Sequence, residues 1–169
     1  MTGSGRPDRE AAEPSARAGR RAGPIAPRSG AAAATSLYER YKDALRRGHV
    51  AALRGRHDAA IDAYGEAASI APDRALPHAS IGGILAKMNR PADAIAAYRR
   101  ALDLAPRDET ALRGIAETQM RLGRRAEAAS ALDRLAEGLE AAGRLPDATE
   151  TARRALELAE SRPRRDHLE

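Results

Sequence analysis

Apolar residues recur at three- and four-residue spacing from Ser36 onward, and the recurrence is cut at regular intervals by residues that stop helices. The pattern predicts helices over about 37–54, 57–71, 74–88, 91–105, 109–122, 125–142 and 146–161. In the fourth, Ala94, Ile95, Tyr98, Ala101, Leu102 and Ala105 form one apolar stripe about 100° wide, with charges on the opposite face. The gaps hold Gly55, Pro72-Asp73, Asn89-Arg90 before Pro91, Pro106 with Asp108, Gly123, and Gly143 before Pro146. Pro91 falls where a first-turn proline is tolerated. Asp73 and Asp108 are placed to cap the helices after them, and Ser36 with Glu39 fits a capping box opening the first helix. β-Branched and aromatic residues are too few for a sheet, so the fold is expected to be all-α.

Compared with itself at an offset of 34 residues, the chain repeats. Gly55, Asn89 and Gly123 come into register, each able to take the left-handed conformation that ends a helix. Ala60, Ala94 and Ala128 follow, then Tyr64, Tyr98 and Leu132, then Ala67, Ala101 and Leu135. Gly48, Gly82 and Ala116 align earlier in the unit, and Pro72 and Pro106 close two of the units.

These residues resemble the tetratricopeptide repeat, a helix pair with small residues where its helices A and B cross, an aromatic on helix B and a closing proline. The unit Ala75 to Asp108 fits best. The unit Tyr41 to Arg74 places Arg47 where a large apolar residue is usual, and the unit from Glu109 has Glu140 in place of the proline. The resemblance implies a right-handed α-solenoid over 37–161, with units at about 41–74, 75–108 and 109–142. One helix pair cannot cover its own stripe, so neighbouring units bury it together. Without a proline near 140 the helix from 125 runs on, and Gly143, Ala148, Ala152 and Ala155 repeat the spacing of Gly55, Ala60, Tyr64 and Ala67. That helix is expected to close the third unit and open a truncated fourth, capped by 146–161, with Arg153, Arg154, Glu157 and Glu160 toward solvent.

Composition changes the picture at the ends. Residues 1–36 hold four Pro, five Gly, ten Ala and six Arg, with Ile25 the only large aliphatic after Met1. Such a segment offers too little apolar area to offset about 1–2 kcal/mol of ordering per residue, and is expected to be disordered; 162–169 should fray. The tail carries +3 of the net +5 charge, so the basicity says little about the folded surface. Arg20-Arg21 is not followed by an apolar export region, and no membrane span is present, which points to the cytoplasm.

Chemistry was sought residue by residue. The chain has no cysteine, and its histidines, at 49, 57, 78 and 167, have no spacing suited to zinc. His57 in a turn and His78 at a packing position read as structural. Gly82-Gly83 lies inside a helix and is not a phosphate loop. Acids such as Asp103 alternate with Arg99 and Arg100 on polar faces, so neither a catalytic constellation nor a cofactor site is expected. With Tyr64 and Tyr98 at core positions, few aromatics remain to stack bases, so no specific nucleic-acid role is expected.

A binding surface remains. The resemblance implies that A helices line a concave groove gripping an extended peptide or a helix, here with Lys42, Arg46, His49, Ser80, Gly83, Lys87, Arg113, Gly114, Glu117 and Arg121 pointing inward. The set is mostly basic and suits an acidic segment. Chaperone-binding relatives hold a pair of carboxylates with a clamp of Lys, Asn and Arg; the corresponding positions here are Leu45, His49, Ser80, Thr110 and Gly114, so that clamp is missing. The expected function is a non-catalytic scaffold or adaptor. Self-association, and a regulatory subunit acting on an enzyme in trans, are the alternatives.

Overall fold

The computed structural model describes residues 29–160, with side chains from Ser36 onward. Seven helices follow in order: α1 (Ser29–Leu53), α2 (His57–Ile70), α3 (Ala75–Lys87), α4 (Pro91–Leu104), α5 (Glu109–Arg121), α6 (Arg125–Ala141) and α7 (Leu145–Glu160). There is no strand among the described residues, and none of these helices is long and apolar enough to cross a membrane.

Six helices begin and end within a residue of the sequence expectation; α1 does not. It starts at Ser29, so Ser36 lies inside the helix and opens nothing. Ala31 to Ala34 have the highest helix propensity of any residue, and a helix already nucleated by packing extends through them. Of the segment 1–36 expected to be disordered, residues 29–36 are helical, which corrects that expectation; 1–28, and the fraying expected at 162–169, lie outside the described residues. Asp73 is a second correction. The cap position of α3 is Arg74, which makes no side-chain cap bond, and Asp73 stands one residue too early. Asp108 does cap α5, its carboxylate accepting the Ala111 amide at 2.8 Å.

Four turns are copies of one another. Gly55, Asn89, Gly123 and Gly143 have φ of 69°, 55°, 73° and 74°, the left-handed region where glycine and asparagine are cheapest. After each comes an arginine, Arg56, Arg90, Arg124 or Arg144, whose amide donates to the carbonyl five residues back, 2.9 Å away in every case. The α6–α7 connection is thus built like the turns within a unit. Helix α6 packs along both α5 and α7, with Leu132, Leu135 and Leu139 buried between them and Ala148 and Ala155 in the same core. Each such leucine contributes about 1.5–3 kcal/mol.

The tyrosines set how closely units approach. A Cβ at Gly48 would lie 2.7 Å from the Tyr64 ring, and one at Gly82 would lie 2.6 Å from the Tyr98 ring, so only glycine admits either ring against its own A helix. Each ring then reaches the next unit. The Tyr64 hydroxyl meets the Ser80 side chain, and the far end of Tyr98 fills the space where Gly114 lacks a side chain. Arg47, which replaces an apolar residue in the first unit, instead joins α1 to α2 through an ion pair to Glu66 at 2.6 Å.

Candidate functional site

Helices α3 and α5 pack beside one another, and α7 reaches α5 through side chains, Arg144 to Glu109 and Arg154 to Met120. Arg144 at the start of α7 donates from Nη1 to the Glu109 carboxylate at the start of α5, at 2.8 Å. Farther along, α5 and α7 flank a cleft of about 130 Å³. Its floor is apolar, made by Ala116, Leu132 and Leu135. One rim is Arg113, Glu117 and Met120; the other is Glu150, Thr151 and Arg154. The hydrophobic floor comes from the overlong α6, and the second rim exists because α7 continues the array.

The rim charges are not equivalent. Arg113 is held by Glu109 at 2.7 Å and Glu150 by Arg153 at 2.6 Å. The Glu109 carboxyl sits below its ordinary pKa, chiefly through the Arg113 hydrogen bond and then through Arg144, and Arg153 depresses Glu150 in the same way. Arg154 rests a guanidinium nitrogen 3.7 Å from the Met120 sulfur. Neither Glu117 nor Arg154 is in an ion pair among the described residues, although the Arg154 charge also helps to lower the Glu150 carboxyl, so the cleft presents one charge of each sign outside any ion pair over an apolar floor.

The residues expected to line a single groove divide into groups. Arg113 and Glu117 meet at the cleft. Lys42, His49 and Lys87 are exposed; Lys42 pairs with Glu39 at 3.3 Å and lies 5.3 Å over the Tyr38 ring. Arg46 pairs with Asp43 and lines an open recess with Arg47, Val50, Arg54 and Arg56 at the α1–α2 end, remote from the cleft. Ser80, Gly83 and Gly114 stand against tyrosines, Gly83 within 3.7 Å of the Tyr98 hydroxyl as measured from an added Cβ. Arg121 is spent on the fold: it donates to the Ala86 carbonyl at 3.0 Å and to Asn89 Oδ1 at 3.2 Å, tying α5 to the end of α3.

Sequence reasoning missed Met120, Glu150, Thr151 and Arg154 as cleft residues; Arg153, Arg154, Glu157 and Glu160 are exposed, as expected, and Arg154 also borders the cleft. The signal was available: once Gly143 is read as a within-unit turn, α7 lies beside α5 and its Glu150 to Arg154 turn faces inward. His57 and His78 are half-buried. Burial, and then the charge of Arg100, lower the His78 pKa. With Tyr41, Tyr64 and Tyr98 buried, Tyr38 is the one exposed ring among the described residues.

Solved structures share this architecture. The TPR2B domain of yeast Sti1, in complex with pHsp70, superposes with a TM-score of 0.65 at 22% identity, over 73% of this chain and 99% of that one. The Arabidopsis OM64 TPR domain gives 0.60 at 16%, over 72% and 98%. The first TPR of Spaghetti (RPAP3), bound to the HSP90 peptide SRMEEVD, gives 0.60 at 18%, over 72% and 94%. No curated protein matches by sequence. Two family models, each described as tetratricopeptide repeat, match residues 44–74 and 85–139, together half of the chain. Shared turns, tyrosine-in-glycine crossings and these matches agree: the chain belongs to the tetratricopeptide repeat family.

Proposed function

We propose that the protein is a non-catalytic adaptor of the cytoplasm that grips a segment of another protein, and that the α5–α7 cleft is its anchoring point. One observation carries the reading: an apolar floor of Ala116, Leu132 and Leu135 beneath two charges that form no ion pair among the described residues, Glu117 and Arg154. A volume near 130 Å³ suits one aliphatic side chain. A segment with a Leu, Ile or Met anchor, an acid on one side and a base on the other would bury the anchor and satisfy both rim charges. The basic residues Lys42, His49 and Lys87 extend the preference toward acidic sequence beyond the anchor.

The structures similar in fold include two whose partners are an Hsp70 or HSP90 peptide. Peptide binding supports the general reading, but a chaperone tail is not the expected ligand. Leu45 packs into the core, and the Tyr98 ring occupies the space beside Gly114, so those clamp positions have no cation to offer.

Peptide display against the full chain tests the proposal, with SRMEEVD as a control. Selected peptides should share an apolar anchor with flanking charges, and Glu117→Arg, Arg154→Glu and Thr151→Arg should each weaken them about tenfold or more, roughly 1.4 kcal/mol, with helix content unchanged. Peptides indifferent to all three substitutions, or preferential binding of SRMEEVD, would overturn it.

A further inference from the structure

Six of the nine large apolar residues exposed on the described surface lie on the two terminal helices: Leu37, Tyr38, Val50 and Leu53 on α1, and Leu145 and Leu156 on α7. The repeat register places Val50 and Leu156 at positions that are buried inside the array, and Leu53 and Leu145 at the edge of the same joint. Helix α4 buries Ile95, Tyr98 and Leu102, and the last two share a core with Ala111 and Leu112 of α5. Counting from the left-handed turn residue, Asn89 in one case and Gly143 in the other, the same positions of α7 are Thr149, Ala152 and Leu156, with Leu145 matching Pro91. On the other side of the joint, Ser80 and Gly114 face the tyrosine of the preceding unit, and Ile84 and Thr118 are buried one turn later. Thirty-four residues before Ser80 and Ile84 stand Arg46 and Val50.

The two ends are therefore the halves of one more inter-unit joint, with the sizes exchanged. Inside the array a large residue on the leading helix, Tyr64 or Tyr98, enters a gap left by a small one, Ser80 or Gly114. At the ends the leading helix offers the small residue, Ala152, and the following helix offers the large one, Arg46. Internal pairing of Tyr64 with Ser80 fixes the register, and in that register Leu145 faces Leu53 while Leu156 faces Lys42. The Lys42 ammonium then lies within a turn of Glu157 and Glu160, both exposed.

We propose that a second copy of this chain is the occupant of these faces, α7 of one molecule docking on α1 of the next so that the solenoid continues from molecule to molecule. The two faces differ, so the contact is heterologous and propagates beyond two copies. It uses neither rim of the α5–α7 cleft, and of the residues proposed above for peptide binding it shares only Lys42.

Sedimentation velocity of the full chain over a wide concentration range tests this. Weight-average mass should climb past that of a dimer. Val50→Lys/Leu53→Lys, which closes the α1 face, and Leu145→Lys/Leu156→Lys, which closes the α7 face, should each weaken association at least tenfold with helical circular dichroism unchanged, since all four positions are exposed. Mixed in equal amounts, the two variants should form a heterodimer and stop there, because each retains one open face. A wild type that stays monomeric, or one that plateaus at a dimer, overturns the proposal. So do variants that associate like wild type, or a mixture that stays monomeric.

Discussion

Tyr98 ends in the space that Gly114 leaves empty: a Cβ on Gly114 would sit 2.5 Å from the Tyr98 hydroxyl oxygen and would overlap the ring carbon that bears it. The same ring is pressed against Gly82 from the other side. One side chain thus sets the distance between α3 and α4 and also between α4 and α5. Gly114→Ala forces the ring or the helix to move, which should cost about 1–3 kcal/mol, read as a lower urea midpoint with unchanged slope. In a Tyr98→Leu background the same substitution should cost less than half as much. Equal costs in the two backgrounds would show that the ring is not what fills the site.

The two candidate caps should separate cleanly. Asp108→Ala removes the acceptor of the Ala111 amide and should cost about 1 kcal/mol. Asp73→Ala removes an exposed carboxylate 3.9 Å from Arg74 that caps nothing, and should fall within about 0.5 kcal/mol of wild type. Thermal unfolding of both variants checks the contrast.

That contrast also shows where sequence is legible. Helix boundaries at Gly55, Asn89, Gly123 and Gly143 could be read because the backbone conformation there is confined to few residue types, and the repeat multiplies the signal. The start of α1 could not, because Ser36 has a capping box that is locally satisfactory while the alanines before it let the helix run on. Site residues were harder still. Arg113, Arg121 and Arg46 have equal charge and similar repeat positions, yet one lines the cleft, one ties α5 to α3 and one stands at the open end of the array. Their roles depend on what lies across from them, and an array has no facing residue at its first helix. Arg154 is exposed as expected, but its place at the cleft was missed for a related reason, since it follows from α6 serving two units.

The three buried tyrosines predict an alkaline limit. Burial raises the pKa of Tyr41, Tyr64 and Tyr98, and for Tyr98 the neighbouring Glu117 charge raises it further. A phenol whose folded pKa exceeds its unfolded value stabilises the fold in full below the unfolded pKa, about 10. That contribution is lost as pH rises through the higher folded value. Phenolate absorbance from Tyr41, Tyr64 and Tyr98 should therefore appear together with loss of helix. Titration of these three rings before any helix is lost would contradict the burial of these side chains.

Glu109 makes the opposite prediction at acid pH, and it bears on the cleft. Its carboxylate accepts from Arg113 on its own helix and from Arg144 at the start of α7, which holds its pKa below the ordinary carboxylate value. A depressed folded pKa means that the contribution is complete above the unfolded pKa and disappears as pH falls through the lower folded one. All three side chains are well exposed, so the link contributes little to global stability and is weakened by salt. Its effect is local: it fixes α7 beside α5, and the two rims of the cleft ride on those helices. Glu109→Gln should therefore speed amide exchange in α7 while leaving α3 and α4 unchanged, and high salt should shrink the difference. Peptides selected for the cleft should bind the variant less tightly at neutral pH, and the wild type should approach the variant's affinity in acid. Uniform acceleration across all helices would mean that Glu109 supports the whole array and does not act as the local tie between α5 and α7.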